Sequence, residues 1–349
     1  MIHSDLIEST FRLSDNNAPI VIAELGINHE GSVETAIQMA DAAIDAGALF
    51  IKHQTHIPDA EMSLEARNAI PGNADVSIYE VISRCTLSEA DELTLMQHVK
   101  SRGAIFFSTP FSKEAANRLQ AWGIPLFKIG SGECNNYPLV EHIAAMGKPI
   151  ILSTGMNTIK SIRTSVDILR KSKVPFALLH TTNLYPTPSH LLRLGGLTRL
   201  REEFPDVVVG LSDHSLNNNA CLASVALGAK ILERHFTDSK DRPGPDIVCS
   251  MDGDELTALI RDSKEVFSAL GGTKEPSKEE EVTMAFAFAS VVATREIMAG
   301  EVLDLTNLWV KRPRGGDFVA EDLKSLIGQV AKTQIPANTQ IRAAQIGLK

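Results

Sequence analysis

The stretch PIVIAELGINHEGSVETAIQMADAAIDAGALFIKHQT, residues 19–55, sets two short apolar runs on either side of a longer amphipathic segment. Within it, SVETAIQMADAAIDAG (32–47) spaces apolar residues by three and four and ends at Gly47, the pattern of a helix with one buried face and a glycine stop. The flanking runs PIVIAELGIN (19–28) and ALFIKHQT (48–55) read as strands, which makes the whole a strand–helix–strand unit. The same alternation continues through AIFFSTPF (104–111), PLFKIGSGE (125–133), PIILSTG (149–155), FALLHTTN (176–183), VVVGLSDH (207–214) and AKILERHFT (229–237), eight runs in all. Eight strands alternating with helices over about 250 residues match a closed (β/α)8 TIM barrel better than an open doubly wound sheet. After the first run stands GINHEGS, which is not the GxGxxG of a nucleotide-binding turn.

Around this barrel, read as residues 1–272, three segments differ in character. Residues 56–87, containing IPGNADVSIYE, are too long for a plain turn and lie on the side where barrel active sites form, so they read as a substrate loop. GGTKEPSKEEE (271–281), which leads into a linker expected over 273–285, buries nothing and reads as exposed. Residues 286–349 read as short strands and turns, a small, mostly β domain expected to lean on a partner surface. A net charge of −9 argues against a nucleic-acid surface. No apolar run approaches the roughly 18 residues of a membrane span, and the polar start MIHSDLIEST lacks signal-peptide regions, so a cytoplasmic protein is expected. Cys85, Cys134, Cys221 and Cys249 are far apart and read as reduced, buried thiols.

In a barrel the C-terminal strand ends converge on one mouth, and nearly every run ends in polar residues that core packing does not explain. Lys52 and Lys128 sit in apolar strands and need an anion nearby, either a ligand phosphate or carboxylate or a salt bridge to Glu24, Glu133 or Glu233; Schiff-base chemistry is a further option. The turns GSGE and STGMN, with Ser131 and Ser153, offer hydroxyl and N–H groups suited to a phosphate, which favours anion binding. His214 and His235 end adjacent strands, about 5 Å apart, close enough to share a metal ion in an open site suited to Mn2+ or Mg2+. His29, His53 and His180 read as packing or supporting residues.

The segments GINHEGS, IKHQTHI, IPGNADVSIYE, STPFS, KIGSGECNNYPL, ILSTGMN, TNLYPTP, GLSDH, LERHFTD, RPGPDIVCSM, FAFASVVA and LWVKRP together resemble, from end to end, the bacterial N-acetylneuraminate (sialic acid) synthases. The C-terminal part resembles the antifreeze-like (SAF) domain of these enzymes. The resemblance implies a transferase that condenses phosphoenolpyruvate with open-chain N-acetylmannosamine and water, giving N-acetylneuraminate and phosphate by C–O cleavage. It implies a cytoplasmic, domain-swapped homodimer and a divalent cation, Mn2+ first and Mg2+ or Co2+ as alternatives, on His214 and His235. Lys52, Lys128, Ser131, Ser153, Asn183 and Ser212 match phosphoenolpyruvate-binding positions, and Glu24 and Glu133 the acidic residues beside the reacting carbons. Gln54, Asn73, Tyr185 and Asp246 match sugar-binding positions. Arg312 matches the arginine that reaches the N-acetyl group of the neighbouring subunit's substrate, although KRPRGGDF adds Arg314 where the family continues with Gly. Relatives make legionaminic or pseudaminic acid by the same chemistry; KHQTHI and GPDIVCSM favour the N-acetylneuraminate branch.

Overall fold

The computed structural model describes residues 2–13, 17–71 and 75–347. The chain divides into two compact units, residues 1–271 and 272–349.

The first unit is a closed barrel of eight parallel strands: β1 (Ile20–Gly26), β2 (Phe50–Thr55), β3 (Ile105–Pro110), β4 (Phe127–Ile129), β5 (Ile150–Ser153), β6 (Phe176–Thr181), β7 (Val208–Asp213) and β8 (Ile231–His235). Closure comes from β1 pairing with β8, where Glu24 lies opposite His235. The helix Val33–Asp45 shows how the sequence dictates the outer ring. Ser32 caps its start by accepting from Thr35 N at 3.1 Å, Ala36, Met39, Ala40 and Ala43 bury one face, and Gly47 at φ 100° ends it.

Two apolar cores flank the strands. One fills the space between strands and helices. The other lies inside the barrel, where Ile22, Phe50, Ile105, Phe107, Ile151 and Ile231 meet, with Ile7 from the helix Ile2–Thr10 packed among them. With apolar residues filling one part of the interior, the polar strand ends are left to the mouth.

The segment 56–77 is not a bare loop: it contains the one-turn helix Pro58–Glu61 and a 3-10 turn, Leu64–Arg67, before the helix Ile78–Cys85. The helix Glu281–Ala287 begins within the stretch expected to be an exposed linker and runs past its end. In the second unit β9 (Ser290–Ala293) pairs antiparallel with β10 (Leu308–Lys311), and β11 (Val330–Ala331) with β12 (Ile346–Gly347). It has a core of its own, with Val291, Ile297, Leu303, Leu308, Ile335 and Ile341 all buried. Among the described residues no helix is long and apolar enough to cross a membrane. All four cysteines are free and buried.

The barrel is packed to its limit where β7 meets β8. A Cβ on Gly210 would stand 2.2 Å from the Ile231 carbonyl oxygen and 2.7 Å from Leu179 Cδ2. Gly210→Ala is therefore expected to cost about 1–3 kcal/mol, as overpacking does, seen as a lower urea midpoint; an unchanged midpoint would contradict this account of the packing.

Candidate functional site

The mouth of the barrel is organised by buried charge. Lys52 from β2 and Lys128 from β4 both project inward, and Glu233 from β8 lies between them, its Oε1 3.8 Å from Lys52 Nζ and 3.7 Å from Lys128 Nζ. Lys52 also pairs with Glu24 of β1 and donates to Thr109 Oγ1 at 3.3 Å. Lys128 Nζ donates to Ser153 Oγ at 2.6 Å and to the Ile129 carbonyl at 3.2 Å. Burial pushes the Lys128 ammonium down to about 8 against the pull of Glu233. Burial alone would raise the Glu233 carboxyl, yet Lys128, Lys52 and the Ser212 hydroxyl hold it below the usual carboxylate range. Both lysines thus have protein partners, and Glu233 Oε2 is buried without a hydrogen bond.

One wall is made of turns that interlock. Ser131 Oγ accepts from Gly155 N at 3.0 Å, and Asn157 Nδ2 donates to the carbonyls of Ser131 and Gly155 at 2.9 and 2.8 Å. Gly155 makes room for Asn183, since a Cβ there would stand 1.8 Å from Asn183 Oδ1 as it is now placed. That oxygen is itself buried without a partner, an acceptor available to a ligand.

Opposite lie the two histidines, with ring centroids 5.5 Å apart. Tyr185 stacks on His214 at 4.1 Å and meets His235 edge-on at 5.8 Å. His214 Nδ1 donates to the Thr182 carbonyl at 2.9 Å, which leaves Nε2 with a free lone pair, and burial lowers the ring to about 3, so it is neutral. His235 Nδ1 is buried with no hydrogen-bond partner, with Asp246 Oδ2 3.7 Å away. Among the described residues no three His, Cys, Asp or Glu side chains converge as a metal cage. Two imidazoles with unused nitrogens nevertheless fit an open site that draws its remaining ligands from water and substrate oxygens.

Glu24, Lys52, Gln54, Lys128, Ser131, Ser153, Asn183, Tyr185, Ser212, His214 and His235 all line one cavity. Asp246 stands behind His235, its carboxyl raised by burial. Glu133 does not line the cavity; it lies half-buried on the turn after β4, accepts from Asn136 Nδ2 at 3.2 Å, and is raised chiefly by burial. Asn73 falls outside the described residues. Arg312 belongs to the second unit, where its side chain, like that of Arg314, is exposed.

The cavity also contains Phe111 and Thr181, which the sequence reading did not name, and Thr109 and Glu233, which it read among the polar strand ends. Glu233 carried a signal, because period two places it on the same face as His235. Arg234 between them points the other way, 3.4 Å from Asp213 and donating to Asn218 Oδ1 at 2.5 Å and the Ser215 carbonyl at 2.7 Å. His29 and His53 also lie behind the wall: His53 Nε2 is 3.2 Å from His29 Nε2, and its Nδ1 is 3.3 Å from buried Glu92.

A closed barrel of eight parallel strands whose mouth gathers two lysines, hydroxyl-bearing turns and a histidine pair is of the TIM-barrel class, whose active sites form at that face. The chain belongs to the NeuB family, which it matches over residues 39–275, and residues 288–347 match the SAF domain. It is 33% identical over 341 residues to the N,N'-diacetyllegionaminic acid synthase of Campylobacter jejuni, covering 93% of this chain and 98% of that protein. The N-acetylneuraminate-9-phosphate synthase of Drosophila melanogaster is 32% identical, covering 88% and 91% of the two chains. Among solved structures, the N-acetylneuraminic acid synthetase of Leptospira borgpetersenii, in complex with citrate, superposes with a TM-score of 0.70 at 30% identity, covering 77% of this chain and 91% of that one.

His29 supplies a pH test of the wall. Burial, with His53 and His56 adding to it, lowers the His29 ring to about 3 from an ordinary 6.5. The unfolded chain therefore takes up a proton that the folded chain refuses, and the stability present above pH 6.5 is lost as pH falls toward 3. The His29 contribution amounts to about 2 kcal/mol between pH 6.5 and 5. Urea denaturation of wild type and His29→Asn at both pH values should show the variant losing less on acidification; equal losses would refute the assignment.

Proposed function

We propose that the protein is a phosphoenolpyruvate-dependent sugar-acid synthase that joins phosphoenolpyruvate to open-chain N-acetylmannosamine and water, yielding N-acetylneuraminate and phosphate. The observation that carries this reading is the pair Lys52 and Lys128 facing one carboxylate, Glu233, across a cavity lined with Ser131, Ser153, Asn183 and Ser212. An anionic substrate entering there exchanges one set of ion pairs for another and meets fixed positive charge where phosphate must leave. Family membership and the activities named for its relatives support the reaction class.

In the reaction, C3 of phosphoenolpyruvate bonds to the aldehyde carbon and the aldehyde oxygen gains a proton. Water adds to C2 and loses a proton, and the tetrahedral centre then breaks its C–O bond to release phosphate. Lys52 and Lys128 balance the phosphate and carboxylate charges throughout, while Ser131, Ser153, Asn183 and Ser212 orient them. Glu24, held by Lys52 and Gln54 at the cavity wall, and Glu133, on the turn after β4 outside the lining, are assigned together to water activation and proton transfer. Gln54, Asn73, Tyr185 and Asp246 are assigned to the sugar. A divalent cation on His214 and His235, Mn2+ foremost with Mg2+ or Co2+ as alternatives, would supply Lewis-acid polarisation of the aldehyde when bound. Arg312, from the small domain of a second copy in a swapped homodimer, is assigned to the acetamido group, and the enzyme to the cytoplasm. A diacetamido hexose is the alternative sugar, since the Campylobacter relative is named for a diacetylated product.

The test is phosphate release from phosphoenolpyruvate with N-acetylmannosamine or the diacetamido hexose, with Mn2+ and after chelation. Release should require sugar and cation together. Lys128→Met should lower kcat by about a hundredfold or more, and His214→Ala should lose Mn2+ binding measured directly. Absence of cation-dependent release with any acetamido sugar would sink the reading; sodium borohydride trapping of a carbonyl substrate on Lys128 would replace it with Schiff-base chemistry.

A further inference from the structure

A chain of hydrogen bonds leaves the cavity from the end of β2. Gln54 Nε2 donates to Glu24 Oε1 at 2.9 Å, and Gln54 Oε1 lies 3.1 Å from His56 Nε2. His56 Nδ1 in turn lies 3.0 and 3.1 Å from the two oxygens of Glu61. The direction of the chain follows from what each group can offer. Glu24, paired with Lys52, presents acceptor oxygens, so Gln54 turns its NH2 toward it. The amide oxygen then faces the imidazole and requires a donor, so His56 Nε2 carries a hydrogen. The Glu61 carboxylate accepts from Nδ1, which makes the ring a double donor.

Everything around His56 holds it in that role. The His56 and Glu61 side chains are only 5% and 6% exposed. Phe111, itself a wall of the cavity, stacks on the imidazole at 4.3 Å and within 10° of parallel. Glu61 closes the helix Pro58–Glu61, its N–H bonded to the Ile57 carbonyl at 3.1 Å.

We propose that His56, gripped by Glu61 and Phe111, is a positioning and specificity-determining residue that locks the Gln54 amide in one orientation and so fixes the donor and acceptor pattern the cavity shows to a sugar hydroxyl. A free amide can exchange its two ends, presenting oxygen where nitrogen stood. A locked one keeps one N–H and one oxygen lone pair at set positions and rejects hydroxyl arrangements that mispair with them. The inference rests on the proposed function, with Gln54 at the sugar.

His56→Phe keeps a ring against Phe111 and removes both donors, whereas Glu61→Gln keeps an acceptor for Nδ1–H. In phosphate-release kinetics on the full chain, His56→Phe should raise the sugar KM about five- to tenfold, the loss of one hydrogen bond, with the phosphoenolpyruvate KM unchanged. The same variant should narrow the kcat/KM ratio between N-acetylmannosamine and the diacetamido hexose, and Glu61→Gln should stay near wild type. If His56→Phe does not fold, the double variant His56→Phe/Glu61→Gln, which leaves no uncompensated carboxylate, takes its place with the same expected split. Unchanged sugar KM, or both KM values rising together, would overturn the assignment. Wild type that releases no phosphate with any acetamido sugar would overturn the function and this inference together, a failure visible before any variant is made.

Discussion

Two ammonium groups buried in the interior of a barrel dominate the chemistry of this protein. Neither Lys52 nor Lys128 can stay charged among apolar strands without an opposite charge, and Glu24 and Glu233 supply it. Breaking such an arrangement by removing one partner costs about 3–5 kcal/mol, because a lone buried charge is left behind. The strand ends therefore have to deliver acids from β1 and β8 and bases from β2 and β4 to a single point, and barrel closure through β1 and β8 is what brings them there. The cluster is balanced before any ligand arrives, so an entering anion competes with carboxylates already in place. That competition favours a ligand that gains more hydrogen bonds than Glu24 and Glu233 give up.

The arrangement also explains the division of labour along each strand. Residues facing inward line the cavity, and their outward neighbours tie down the strand end. His53 and Thr55, on either side of Gln54, both bond to the buried carboxylate of Glu92. Asp213 and Arg234, each beside one of the two site histidines, pair with each other and fasten the loops after β7 and β8. The site is thus carried on rigid elements held from behind, which is how a constellation of side chains keeps its geometry.

Much of this was legible in the sequence. The alternation of apolar runs and amphipathic helices is local, so the eight strands and the ring of polar ends could be read from residue types alone. Lys52, Lys128, His214 and His235 stood out because such side chains are costly in a strand unless paired or liganded. Other features depend on partners distant in the chain. The inward turn of Glu233 followed from period two but could not be separated from bending of the strand end. The orientation of Gln54 is set by Glu61 through His56, across a loop whose one-turn helix has no strong periodicity. Glu133 lies on a turn, where no alternation rule places a side chain, and it stands away from the cavity lining. The small unit proved to have a continuous core because isolated bridges, such as Val292 with Gln340, join segments too short to read as strands.

The triplet Glu233, Arg234 and His235 serves two environments within three consecutive residues. An insertion or deletion of one residue in β8 would exchange them, sending a guanidinium into the cavity and an acid and an imidazole into the outer layer. The loop between β2 and the helix Ile78–Cys85 is free of that constraint, since changes of length there leave every strand in phase. Variation in chain length among proteins of this kind should therefore accumulate around the mouth and stay out of the last strand, so that the substrate rim can diversify while the charge centre keeps its phase.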